Sequence, residues 1–175
     1  MKAKEISLCA MMIAVALTLS FVERFIPLQL ILPLPGFKLG LANVITLVAL
    51  WLFKKKYVLA ILLIRCFLGA VFGGGVTALA FSLCGGLLAL GTMLLAAKIK
   101  RFSIYGISVL GAAAHNVGQI LAAMALMKSV YIGAYLPYLL LMGVATGLMT
   151  GAVCAGVLRL LPKAVCVNPE EGSIP

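Results

Sequence analysis

Thr46-Leu47-Val48-Ala49-Leu50-Trp51-Leu52-Phe53-Lys54-Lys55-Lys56-Tyr57-Val58-Leu59-Ala60-Ile61-Leu62-Leu63-Ile64 sets two apolar runs on either side of three lysines. Neither run alternates with polar residues as a half-buried strand does, and the break between them is a compact block of cations. That pattern reads as two membrane-crossing helices joined by a basic turn. Moving outward, the same arrangement repeats. Against the roughly 17 to 25 residues that cross a bilayer as a helix, six candidate spans stand near Ile6 to Val22, Leu39 to Phe53, Tyr57 to Phe72, Val76 to Ala97, Ile104 to Met127 and Tyr135 to Leu161. Hydrophobic residues make up 65% of the 175 and mean hydropathy is +1.24, so water cannot be the solvent for most of the chain.

The 14 basic residues are not scattered. Lys2 and Lys4, Lys54 to Lys56, Lys98 with Lys100 and Arg101, and Arg159 with Lys163 fall in every second gap, while the other gaps hold only Arg24, Lys38 and Lys128. Under the positive-inside rule both termini are cytoplasmic and the crossings are even in number. The expected fold is all-α: one compact bundle of six transmembrane helices over residues 1–163, followed by a disordered tail over 164–175. A net charge of +10 would raise nucleic acid as a partner for a soluble chain, but here the cations orient spans and meet anionic headgroups, so membrane lipids are expected as partners and nucleic acid is not. The first span has a basic start and a passable cleavage site at Thr18-Leu19-Ser20, yet no soluble domain follows it, so it is expected to be retained.

Small residues indicate how the spans pack. Gly143, Gly147, Gly151 and Ala155 recur every fourth position in the last span, Ser82 and Gly86 in the fourth, and Ala10 and Ala14 in the first. Such faces let helices approach closely, most often within one chain. Phe72-Gly73-Gly74-Gly75 is expected to be a loop or broken helix end on the outer side. The five cysteines show no CxxC and no metal-ligand spacing; Cys66 and Cys84 sit at matching depths only on the assumption of antiparallel neighbours. No metal and no cofactor is expected.

Polar groups inside apolar stretches are costly and point to function. Arg65, midway along the third span, costs at least about 2.5 to 3.5 kcal/mol to insert and should face a cavity or a partner. His115, Asn116 and Gln119 lie within one helical turn, where their side chains can address one small volume. Structural hydrogen bonding is the competing explanation for both. The outer connection carries Glu23, Arg24, Pro33, Pro35 and Gly36, then Lys38 and Asn43; its prolines prevent either helix from continuing, which suits a lid or gate. With Arg24, Lys38 and Arg65 near a single carboxylate, Glu23, the outer half has surplus positive charge, which favours an anionic or strongly hydrogen-bonding ligand.

Pro33-Leu34-Pro35-Gly36-Phe37-Lys38-Leu39-Gly40-Leu41-Ala42-Asn43, Ser82-Leu83-Cys84-Gly85-Gly86 and His115-Asn116-Val117-Gly118-Gln119 resemble the signature stretches of the heptaprenyl diphosphate synthase component I family, also called the Gx transporter family. The resemblance covers roughly residues 5 to 162. It implies kinship with the substrate-capture S components of energy-coupling factor transporters: a multi-pass subunit of the bacterial cytoplasmic membrane that binds a vitamin-like small molecule from outside. Such subunits dock on a transmembrane coupling subunit with cytoplasmic ATPases through small residues of the first helix, a pattern to which Ala10 and Ala14 are similar. The ligand would then be held by Lys38, Asn43, Arg65, His115, Asn116 and Gln119.

The synthase half of the family's label finds little chemistry here. Prenyl diphosphate synthesis needs carboxylate clusters that hold Mg²⁺ on the diphosphate, and the chain has no aspartate and only four acidic residues. Nor is there a GxxxxGK[ST] for a nucleotide. A catalytic role is therefore not expected. The alternative to a transport subunit is a non-catalytic membrane accessory in isoprenoid or quinone metabolism, or in an electron-transfer complex.

Overall fold

The computed structural model of the protein describes residues 3–25, 40–99 and 101–161. Among these residues every regular element is helical: α1 (Ala3–Val22), α2 (Asn43–Leu52), α3 (Lys55–Gly69), α4 (Gly75–Ala97), α5 (Ile104–Met127) and α6 (Leu136–Leu160). Short 3₁₀ turns at Glu23–Phe25 and Val130–Tyr135 close α1 and lead into α6. Four segments are long and apolar enough to cross a membrane: Ala3–Val22, Gly75–Ala97, Ile104–Met127 and Val130–Leu160. The chain is membrane-embedded on that ground.

Helix α2 is shorter than the span expected near Leu39 to Phe53, and α3 begins two residues before the span expected near Tyr57 to Phe72. With 10 residues, α2 is about 15 Å long, half the roughly 30 Å hydrocarbon core of a bilayer. Its start is set by Gly40, whose φ of +82° turns the chain and whose carbonyl accepts the Asn43 amide at 2.8 Å. All of its residues except Trp51 are buried, so α2 is apolar because protein surrounds it, not because it faces lipid. Helix α3 has 15 residues, two of them lysines and one Arg65, and runs on through a π-helical turn at Ala70–Gly74. The expected loop at Phe72 to Gly75 is thus helical up to Gly74, and the reversal is confined to Gly75, where φ is +70°.

Two apolar clusters fix the ends of the bundle. The larger joins Leu52, Phe53 and Val58 with Ala96, Ile104, Leu158 and the buried side of α1, Met12 and Ala16. Those residues flank Lys54 to Lys56, Lys98 and Arg101, and Arg159, so these cations gather at one end. The smaller cluster, Phe81, Ile120, Ala122, Ala123, Ile132 and Leu139, lies toward the other. Along α5, His115 to Gln119 falls between Ile107 of the first cluster and Ile120 of the second. The polar residues therefore form a layer between two apolar plugs.

Glycine lets α4, α5 and α6 approach at backbone contact. A Cβ on Gly118 would lie 2.6 Å from the Cys84 carbonyl oxygen, and one on Gly147 would lie 2.6 Å from the Val109 Cα. The Gly143, Gly147 and Gly151 stripe of α6 faces Asn116, Val109, Ser108 and Tyr105 of α5, which is packing within the chain. Ser108 and Thr150 share a buried hydrogen bond of 2.7 Å across that seam. Helix α1 is packed far less: only Met12 and Ala16 are buried, while Ala10 and Ala14 are exposed.

Candidate functional site

Ser20, Glu23, Gly40, Ala42, Arg65, Cys66, Gly69, Ser82 and His115 enclose one cavity. It is formed where the end of α1, the entry to α2, the second half of α3, the first half of α4 and the middle of α5 converge, in the half of the bundle away from the lysine-rich end. Arg65 is 8% exposed and Glu23 2%, so both charges are removed from solvent. Buried charges persist only when compensated. The two feel one another electrostatically, and each is further held by hydrogen bonds.

The contacts run as a chain from α1 to α5. The Gly40 amide donates to Glu23 Oε1 at 2.6 Å, which ties the end of α1 to the turn that starts α2. Arg65 Nη2 donates to Asn43 Oδ1 at 3.2 Å, which ties that turn to α3. His115 is wedged between two glycines. A Cβ on Gly85 would stand 2.8 Å from its Cε1 and Nδ1, and one on Gly40 would stand 3.0 Å from its Cδ2. Glycine at position 40 therefore answers two needs at once, the positive φ of the turn and the space the imidazole occupies.

Gln119 Nε2 lies 3.0 Å from His115 Nε2. The carboxamide and the imidazole are hydrogen-bonded to one another, with the direction set by the tautomer of the ring. Two buried polar atoms of this layer, Arg65 Nε and Gln119 Oε1, have no hydrogen-bond partner among the described residues. Polar atoms left over in a buried site call for a partner such as an ordered water or a ligand.

Of the expected binding residues, Asn43, Arg65, His115 and Gln119 are brought together here. Asn116 is turned away: its Nδ2 donates to the Leu139 carbonyl at 2.6 Å and packs on Gly143, so it ties α5 to α6. Glu23, expected in a gate, is part of the cavity wall itself. Lys38 and the expected lid residues Pro33, Pro35 and Gly36 lie outside the described residues, as does the side chain of Arg24. The expected C-terminal tail lies outside them too. Ser20, Ala42 and Gly69 are not singled out as site residues by the sequence; small residues facing a cavity carry no signal that separates them from small residues facing another helix. Cys66 lines the cavity while Cys84 is exposed, so the two thiols do not share an environment.

The cavity measures ≈ 20 Å³ as the space open to the centre of a water molecule. That is room for about one or two waters, far below the roughly 300 Å³ at which small-molecule pockets begin. The arrangement is a closed polar site, and any larger guest requires its walls to part.

The sequence model of the family described as heptaprenyl diphosphate synthase component I matches residues 12–157, and the chain belongs to that family. Comparison with curated proteins and with solved structures gave no match.

Proposed function

We propose that this member of the heptaprenyl diphosphate synthase component I family is a substrate-binding membrane subunit of a small-molecule importer, of the S-component kind. The observation that carries the reading is Arg65. It is buried in an apolar bundle beside a cavity, shares that cavity with Glu23 and His115, and keeps an Nε–H that no described residue accepts. A purely structural arginine would have exhausted its donors on carbonyls and carboxylates. Asn43 and Gln119 orient Arg65 and His115, and the ligand meets Arg65, His115 and Glu23 as the cavity widens. Lys38 and the proline-rich connection would contribute from the outer side.

Binding without an energy source moves nothing uphill, and the sequence has no nucleotide motif, so the drive comes from a coupling subunit with cytoplasmic ATPases. Ala10 and Ala14, exposed on the thinly packed α1, are the surface for it. The setting is the bacterial cytoplasmic membrane with both termini inside, a reading that the lysine-rich end of the bundle supports under the positive-inside rule.

The family's description favours a second reading, a non-catalytic membrane component that serves a prenyl diphosphate synthase. The two differ in partners. Mild solubilisation of native membranes and affinity isolation of the tagged chain should recover a transmembrane subunit with ATPases, and Ala10→Leu with Ala14→Leu should abolish that recovery. Stoichiometric recovery of a soluble prenyl synthase, unaffected by those two substitutions, would establish the second reading in its place.

A further inference from the structure

A cavity that holds a water or two takes up a solute only when a wall gives way, and its walls are not equally fixed. Helices α4 and α5, which carry Ser82 and His115, meet at backbone contact: a Cβ on Gly118 would stand 2.7 Å from the Gly85 Cα. Helix α2 is buried along nearly its whole length, and the end of α1 is tied to its entry by the bond from the Gly40 amide to Glu23. Helix α3 differs between its two halves. Val58, Ile61 and Leu62 fix the first half in the larger apolar cluster. Beyond Cys66, none of residues 67–77 whose exposure is described is buried. Few buried contacts mean a low free energy of local opening.

The backbone ladder changes at the same place. The Ala70 amide is shared between the carbonyls of Cys66 and Phe67, and the Gly75 amide reaches five residues back to the Ala70 carbonyl. Hydrogen bonds to the third, fourth and fifth preceding residue thus follow directly on the wall residues Cys66 and Gly69. A π-helical turn holds one residue more than the α-helical turn it replaces, and such turns are frequent at functional sites. Passing the surplus residue along the helix rotates each residue it passes by about 100° and shifts it by about 1.5 Å. Gly75, with φ of +70° and nothing within 4 Å of a Cβ built on it, can absorb the change at the far end.

We infer that residues 66–74 of α3 and its π-helical turn are the wall that moves, opening the cavity at Cys66 and Gly69 while Arg65 stays in place to meet the guest. This rests on the reading that the cavity takes up a solute, and it says how the site is entered. Passage of the surplus residue toward Cys66 swings Cys66 and Gly69 out of the lining. Arg65, one residue short of the moving segment, keeps its bond to Asn43 and offers its unpartnered Nε–H.

Cys66 is a reporter on the moving wall, 4% exposed, and Cys154, 0% exposed in α6, is a buried thiol away from it. Two variants each retain one of these thiols, with the other cysteines replaced by serine, and the probe is methyl methanethiosulfonate. Each labelling rate is divided by the rate of the same thiol in the unfolded protein, so that it reports how often the surrounding structure opens. Cys66 should label at least about tenfold faster than Cys154 on this scale. Deletion of Val71 removes one of the five residues of the π-helical turn. It should slow Cys66 by about tenfold or more and leave Cys154 within about twofold. Hydrogen exchange reads the same wall in the unaltered protein: amides of residues 67–75 should exchange at least about tenfold faster than those of residues 58–64.

Labelling of Cys66 that is indifferent to the deletion, or slowed no more than that of Cys154, would overturn the inference and leave solute capture standing. Equal exchange in residues 67–75 and 58–64 would overturn it too, and decides the matter should the deletion variant fail to fold. Cys66 as unreactive as Cys154 in the folded protein would remove the opening that solute capture requires, and with it the reading on which the inference rests.

Discussion

Replacing Gly118 by alanine tests the geometry that builds the site. The new methyl carbon would lie 2.6 Å from the Cys84 carbonyl oxygen and 2.7 Å from the Gly85 Cα, against the 3.4 Å at which ordinary contact begins. Both obstacles are backbone, so no rotamer change relieves them, and α4 and α5 must part by most of an ångström. Overpacking of this kind costs about 1 to 3 kcal/mol, toward the upper end where backbone must move. At about 2 to 4 °C per kcal/mol for a chain of this size, the apparent melting midpoint should fall by about 4 to 12 °C. Gly91→Ala is the control, because nothing lies within 4 Å of the Cβ it would add. The assay is fluorescence-detected size exclusion after heating in detergent, which ranks variants even where unfolding is irreversible. The consequence reaches the site as well, since Gly85 is the floor under His115 and moves with α4. A Gly118→Ala protein as heat-resistant as wild type, or a Gly91→Ala protein equally weakened, would refute the α4–α5 contact.

Three further outcomes follow from the same contacts. Gly40→Ala combines a φ of +82° with a Cβ 3.0 Å from both Asn43 and His115, whereas Gly75→Ala has a φ of +70° with open space around it; backbone strain of about 1 to 2 kcal/mol applies to both, so the excess loss of thermal stability at position 40 measures the crowding by His115. Asn116→Ala removes the bond to the Leu139 carbonyl and should cost about 1 kcal/mol of stability. It should leave small-molecule occupancy of the protein unchanged, whereas Arg65→Ala should lower it. A double-mutant cycle on Ser108→Ala and Thr150→Val should give a coupling of about 0.6 to 1.7 kcal/mol in reversible unfolding from mixed micelles, the range for hydrogen bonds between membrane helices; additivity would show that the 2.7 Å bond contributes nothing.

What the sequence discloses depends on whether the controlling force is local. The basic gaps act one by one on topology, and the clusters around Phe53, Ala96 and Leu158 show those gaps at one end of the bundle. Helices α4, α5 and α6 run almost as the apolar stretches predict, α5 to the residue. Helix α2 is shorter than its apolar run: such a run looks the same whether lipid or protein surrounds it, and only Gly40's turn and the burial of nearly every side chain disclose its surroundings. The site was legible where a polar residue is anomalous in an apolar stretch, as at Arg65, His115 and Gln119. Helical spacing places Asn116 beside them, yet it does not say which neighbour that side chain meets, and α6 claims it through Leu139. The cradle of Gly40 and Gly85 was hidden for a like reason, because a glycine in sequence does not name the side chain that fills its space. Glu23 reads from the sequence as a carboxylate near Arg65, and the two line one cavity.

Native mass spectrometry with small-molecule extraction, on protein isolated gently from its own membranes, is the most direct test of solute capture by this cavity. The comparison is between wild type and a folded Arg65→Ala, His115→Ala variant. The prediction is a stoichiometric small-molecule metabolite released from wild type and missing from the variant. Wild type free of any such molecule, or the same molecule retained by the variant, would contradict the account.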